Sequence, residues 1–148
     1  MAEVLASATV RGPAQPPVIE ALHETFERLW DDAAAIGLED RMPFELAVVE
    51  VATNAVRHAK APDDGAVELQ VDMEVRPRLL LARLYELGAA PLGELELPAS
   101  MPGPEADSGR GLQMVRQLLS TVSCERQGEA NVWTLTRTSG DGAGPDAP

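Results

Sequence analysis

The chain has 148 residues, with 24 Asp and Glu against 12 Lys and Arg and a formal charge of −12. The length is that of one ordinary domain, and 45% hydrophobic residues suffice for a core, which the 3% aromatic content predicts to be aliphatic. The acid excess argues against nucleic acid and against an anionic membrane surface, because phosphate binding needs Lys and Arg to release counterions; a basic patch on a partner protein suits it better.

Cys124 is the only cysteine, so no intrachain disulfide forms, which fits a reducing cytoplasm. No apolar run reaches the roughly 18 residues a membrane span needs. The N-terminal "MAEVLASATV" lacks a basic region, so no signal peptide is expected.

In chain order, "VLASATVR" (residues 4–11) alternates weakly and predicts a strand. After a break at Gly12–Pro17, Ile19, Leu22, Phe26, Leu29 and Trp30 recur at helical spacing, and Gly37 can close that helix. A second helix is expected from about Pro43, which fits a first turn, to Lys60. "PDDG" (62–65) is a turn, and "AVELQVDMEV" then alternates cleanly. A turn centred on Pro77 leads to "LLLARLYEL", a strand that should pair antiparallel with the one before it.

From Gly88 to Asp107 the periodicity collapses amid four prolines. A loop of about 20 residues inside a domain is typically a lid or an insert. "SGRGLQMVRQLLSTV" restarts a helix, two short strands follow at about 123–127 and 131–136, and "SGDGAGPDAP" predicts a disordered tail over 138–148. The order β-α-α-β-β-loop-α-β-β predicts an α/β (α+β) two-layer sandwich: a mixed, mainly antiparallel sheet with helices on one face, in a single domain over 1–137.

Three short pieces carry chemistry. "VVEVATNAVRHAK" (48–60) is largely apolar, yet places Glu50, Asn54 and His58 four residues apart on one helix face. A polar stripe on a buried helix needs partners or a bound ligand. "GRGL" (109–112) opens a helix, where glycines allow close approach of a phosphate to free N–H groups and a positive dipole end. "LYELG" (84–88) ends a strand in Glu86 with Gly88 two residues on. An acid there can accept a bond from an exocyclic amine, and the glycine lets a base lie against the backbone. Each piece taken alone is weak.

Together and in this order they resemble the nucleotide-binding boxes of the GHKL ATPase fold, shared by DNA gyrase, sensor histidine kinases and MutL. Within that fold they are most similar to the bacterial anti-sigma-factor serine/threonine kinases. "AVVEVATNAVRHA" resembles the N box and "SGRGLQMVRQLLSTV" the G2 box, and the likeness covers about residues 4–137.

The resemblance implies that Asn54 ligates a magnesium ion bridging the ATP phosphates. It makes Glu50 the general base on the incoming hydroxyl. It also implies that Gly109, Arg110, Gly111 and Leu112 cradle the phosphates, with residues 88–107 as the ATP lid. Glu86 and Gly88 stand where the adenine amino group is read, and Thr134 where a late-strand Thr lines the base pocket. His58 is left a packing or hydrogen-bonding role, since magnesium prefers oxygen. The cofactors implied are ATP and Mg²⁺. The partners implied are a sigma factor, a small anti-sigma-factor antagonist that accepts the phosphate, and a second copy of the chain.

The G1 box departs from the family pattern, Asp-x-Gly, in having Glu86-Leu87-Gly88 followed by "AAPLG". A lost or lengthened hydrogen bond there would cost about 1–3 kcal/mol, or one to two decades in affinity. That departure keeps open a second function, a GHKL-fold binding module with weak or no ATP binding that sequesters a partner. A third is a catalytic domain detached from a histidine kinase. His23-Glu24 superficially matches a phosphoacceptor box, but only one helix fits before Gly37, so His23 is expected on a helix surface. Trp30 and Trp133 are expected to pack, and Cys124 to be a small buried apolar residue.

Overall fold

The computed structural model describes residues 3–62, 65–92 and 107–138. The elements are β1 (Ala6–Pro13), α1 (Pro16–Asp32), α2 (Leu38–His58), β2 (Glu68–Arg76), β3 (Leu79–Leu87), α3 (Asp107–Leu118), β4 (Thr121–Gln127) and β5 (Ala130–Thr138). Their order is the expected one. The lid expected over 88–107 falls mainly on residues 93–106, and the tail on 139–148; both lie outside the described residues.

The strands form one five-stranded sheet in the order β1-β2-β3-β5-β4, with every pairing antiparallel. The β2–β3 pairing places Val71 opposite Leu84 and Glu68 opposite Leu87. The β4–β5 hairpin turns at Gly128, whose φ of 60° favours glycine. β5 then returns between β4 and β3, which sets Glu86 opposite Asn131 and Leu84 opposite Trp133. Nothing in the sequence specifies that register, because α3 and β4 intervene.

Alternation divides the sheet into two faces. Leu69, Val71, Met73 and Val75 of β2, Leu80, Ala82 and Leu84 of β3, and Trp133 and Leu135 of β5 are buried in one core cluster with the helices. The rest of the core includes Leu22, Phe26 and Leu29 from α1, Phe44, Ala47, Val48, Val51, Ala52 and Ala55 from α2, and Val115 from α3. It is aliphatic as expected, apart from Trp133 and one aromatic knot between α1 and α2. Phe26 stacks on Trp30 at 5.7 Å, and Phe44 meets both edge-on at 6.2 and 6.4 Å.

α2 starts at Leu38, not at Pro43, which lies inside it. Glu39 and Asp40 in its first turn suit the positive dipole end. Pro43 has no N–H, so the Glu39 carbonyl loses its intrahelical donor. Arg137 of β5 supplies one, donating to Glu39 O at 3.1 Å. The same guanidinium donates to Asp40 Oδ1 at 3.0 Å and to Leu118 O at 2.6 Å. One side chain thus ties the start of α2 and the end of α3 to the sheet.

Candidate functional site

α2 and α3 meet where the sequence placed the N and G2 boxes. A Cβ built on Gly111 would overlap Glu50 Oε2 and come within 3.0 Å of Glu50 Cδ. Only glycine lets the carboxylate lie against the first turns of α3. With Gly111 beside Glu50 and Leu118 beside Leu46 and Val49, α3 runs antiparallel to α2 and lays its second turn against Glu50. Gly109 and Arg110 fall in the first turn of α3. Leu112 is half-buried and packs on the core cluster.

Asn54 stands one turn beyond Glu50 and donates from Nδ2 to Glu50 Oε2 at 3.3 Å. A carboxylate only accepts, so this bond fixes which end of the carboxamide faces Glu50. Asn54 Oδ1 is left pointing elsewhere, buried and with no hydrogen-bond partner. A buried carbonyl oxygen without a donor costs about 1–3 kcal/mol and marks a place for a ligand. An oxygen of this kind suits magnesium, which takes one or two protein ligands and completes its shell with phosphates and water. Among the described residues no group of three or more His, Cys, Asp and Glu side chains could hold a metal by itself. His58, a further turn along, is exposed.

Glu86, on β3, belongs to a network that reaches the C-terminal end of α2. It is 4% exposed on the helix-facing side of β3. Asn131 Nδ2 donates to its Oε1 at 2.9 Å, and the Trp133 indole N–H donates to its Oε2 at 3.0 Å. Arg126 donates to Asn131 Oδ1 at 3.1 Å and to Ala89 O at 2.6 Å. Asn131 Nδ2 also reaches Ala90 O at 3.0 Å, and Ala90 N–H donates to Lys60 O at 2.7 Å. Gly88 takes φ of 81° and turns the chain out of β3. The network therefore clasps the segment after β3 to the end of α2. About 12 Å of helix axis separates Glu50 from His58 at that end, and Asn54 stands midway.

Cys124 belongs to this second end, on β4 opposite Trp133. Burial, then the nearby charges of Glu86 and Glu125, push its thiol up to about 12, so it stays protonated.

Thr134 is not brought to either end. It pairs with Arg83 of β3 and Ser123 of β4, and alternation points it away from the helices. Asn131 and Trp133 take the inward positions instead. Trp133, expected to pack, also donates to Glu86, and Asn131 is a site residue that no motif marks. The signal for both was the alternation with Leu135 along β5.

No curated protein matches the sequence. Several solved structures are similar, two of them as follows. The RsbU and RsbW domains of Rv1364c from Mycobacterium tuberculosis superpose with a TM-score of 0.62 at 16% identity, over 90% of this chain and 32% of that one. The Acinetobacter baumannii histidine kinase AdeS gives a TM-score of 0.50 at 16% identity, over 95% of this chain and 68% of that one. At such identities the likeness shows the fold, and this chain spans about a third of the length of the first. The sequence model of the histidine kinase-like ATPase domain matches residues 13–137, most of the chain, and the chain belongs to that family.

Proposed function

We propose that this protein is an ATP-dependent serine/threonine protein kinase that acts as an anti-sigma factor. It would phosphorylate a small antagonist protein and hold a sigma factor inactive, exchanging one partner for the other. The observation that carries the proposal is the meeting of Glu50, Asn54 and Gly111. A base, an unpartnered carboxamide oxygen and a helix N-terminus share one locus, which suits phosphoryl transfer, where positioning and charge neutralisation do the catalysis. The likeness to the RsbU and RsbW domains supports a regulatory setting of this kind.

In this proposal Asn54 Oδ1 holds the magnesium ion, which neutralises charge on the ATP phosphates when bound. Glu50 takes the proton from the incoming Ser or Thr hydroxyl. The hydroxyl oxygen bonds to the γ-phosphorus as the bond to the β–γ bridging oxygen breaks, and ADP leaves. Residues Gly109 to Leu112 approach the phosphates, and Glu86 and Gly88 the base. A homodimer and a cytoplasmic location accompany the proposal. Among the described residues no helix is long and apolar enough to cross a membrane.

Glu50→Gln keeps the size and hydrogen bonding of the side chain and removes the base. Transfer of labelled γ-phosphate to an antagonist protein should fall by at least about 10³-fold, with ATP affinity within about threefold of wild type. Wild-type transfer by this variant would remove Glu50 from the chemistry.

A second function is favoured by one observation. Both carboxylate oxygens of Glu86 already accept hydrogen bonds from Trp133 and Asn131. In that hypothesis ATP binds weakly or not at all, and the protein works by sequestering a partner. The absence of heat or thermal shift with millimolar Mg-ATP would select it.

A further inference from the structure

Toward the start of α2 the row of Glu50 and Asn54 continues, at the same four-residue spacing, as an apolar stripe that the phosphate site does not use. Leu38, Met42 and Leu46 are 62%, 65% and 50% exposed, four residues apart, on one helix face. Three exposed large apolar side chains in a row on a helix with a well-buried opposite face are unusual. Met42, Pro43, Leu46 and Val49 line a groove of about 480 Å³, closed on one side by Leu118 of α3 and on the other by His23 of α1.

The rim of the groove is acidic. Glu45 lies in its wall, held by the Trp30 indole N–H at 2.9 Å and near His23 Nδ1 at 3.7 Å. On α1, Glu20, Glu27 and Asp31 are three, four and eight residues from His23, which places them along the same edge. All three are exposed. At its far end the groove reaches Val49, and the next residue is Glu50.

We infer that this groove docks an amphipathic helical segment of the partner protein. That segment inserts apolar side chains between α1 and α3 and sets Lys or Arg against the rim. Charge complementarity selects the occupant. The stretch 93–106 carries Glu94, Glu96 and Glu105, and the tail 139–148 carries two Asp and no large apolar residue, so both are repelled or lack an anchor. A second copy would bring its own acidic rim against this one. A basic amphipathic helix meets both requirements, as in other helix-in-groove complexes. Its passage to Val49 delivers the partner beside the base. This last point rests on the phosphotransfer proposal; the docking itself does not.

The probe is a fluorescein-labelled helical peptide of about 18 residues. It has Leu at i, i+4, i+7 and i+11 and Lys on both flanks; a sister peptide has Glu in place of each Lys. Anisotropy is read against the full chain without nucleotide. The Lys peptide should bind at least about tenfold tighter than the Glu peptide, an advantage that shrinks at about 0.5 M salt. Leu46→Ser and Met42→Ser should each weaken it by about five- to tenfold, with thermal stability unchanged because both side chains are exposed. Equal affinity for the two peptides would overturn the inference. So would no binding up to about 1 mM, or an affinity indifferent to both substitutions. A dimer seen by sedimentation that Leu46→Ser dissolves would assign the groove to a second copy instead. Glu50→Gln should bind the peptide as wild type does, so a failure of docking and a failure of catalysis show up separately.

Discussion

Two groups along the C-terminal half of α2, the Glu50 end nearer the middle and the Glu86 end at the terminus, differ in how their polar groups are satisfied. At the Glu50 end, one carboxylate lies against a glycine and one carboxamide oxygen is buried without a donor. At the Glu86 end, the carboxylate accepts two hydrogen bonds, the carboxamide of Asn131 is engaged at both its nitrogen and its oxygen, and Arg126 closes the chain of contacts. The first end leaves an acceptor open. The second is complete as a structural clasp. The same residue types, an acid and an amide, leave an acceptor open where they stand on α2 and form a brace where they stand on β3 and β5. A ligand at the first end gains an open acceptor, and one at the second meets a carboxylate that already holds two donors.

The largest test of this contrast is Gly111→Ala. The added methyl overlaps Glu50 Oε2 and forces the carboxylate to rotate away. Phosphotransfer should fall by at least about 10²-fold, since small misplacements of a positioned group have costs of that order. Fold stability should hold or rise by up to about 1 kcal/mol, because alanine is the better helix former and the displaced atoms end a flexible side chain. Wild-type transfer by this variant would show that the contact has no part in activity.

Trp133→Phe probes the clasp. It keeps the ring packing and removes the indole donor from Glu86 Oε2. Urea denaturation should show a loss of about 1–3 kcal/mol from a buried acceptor deprived of a partner. ATP affinity should rise severalfold if that oxygen is what the base requires; unchanged affinity would separate Glu86 from nucleotide recognition. The smallest effect is on Cys124. Its thiol, pushed up to about 12 by burial and by Glu86 and Glu125, carries little thiolate at neutral pH. Alkylation at pH 8 should run on the order of 10³ slower in the folded protein than in urea. The folded state holds that proton more tightly, so stability is unaffected below pH 9 and declines as pH rises from 9 toward 12.

Much of the fold was legible because periodicity reports local structure. The alternation of Leu69, Val71, Met73 and Val75 and the spacing of Leu22, Phe26 and Leu29 each named an element and its buried face. The start of α2 was misplaced because Pro43 signals a first turn from sequence alone, and the donor that lets it sit deeper, Arg137, lies 94 residues away in sequence. The Glu50–Asn54 pair was legible because i,i+4 spacing fixes its geometry, and the structure places Gly111 against it. The Glu86 clasp was not, because it depends on β5 entering beside β3, a register set by tertiary packing. Thr134 was misjudged for the same reason: one residue along a strand changes the face.

The most direct measurement is isothermal titration of ATP into wild type and Asn54→Ala, each with magnesium and with chelator. The account predicts saturable binding by wild type that weakens at least about tenfold when magnesium is removed, and binding by the variant that no longer depends on magnesium. Binding that is equally strong in all four titrations, or none by wild type at millimolar Mg-ATP, would contradict a phosphate site built from Glu50, Asn54 and Gly111.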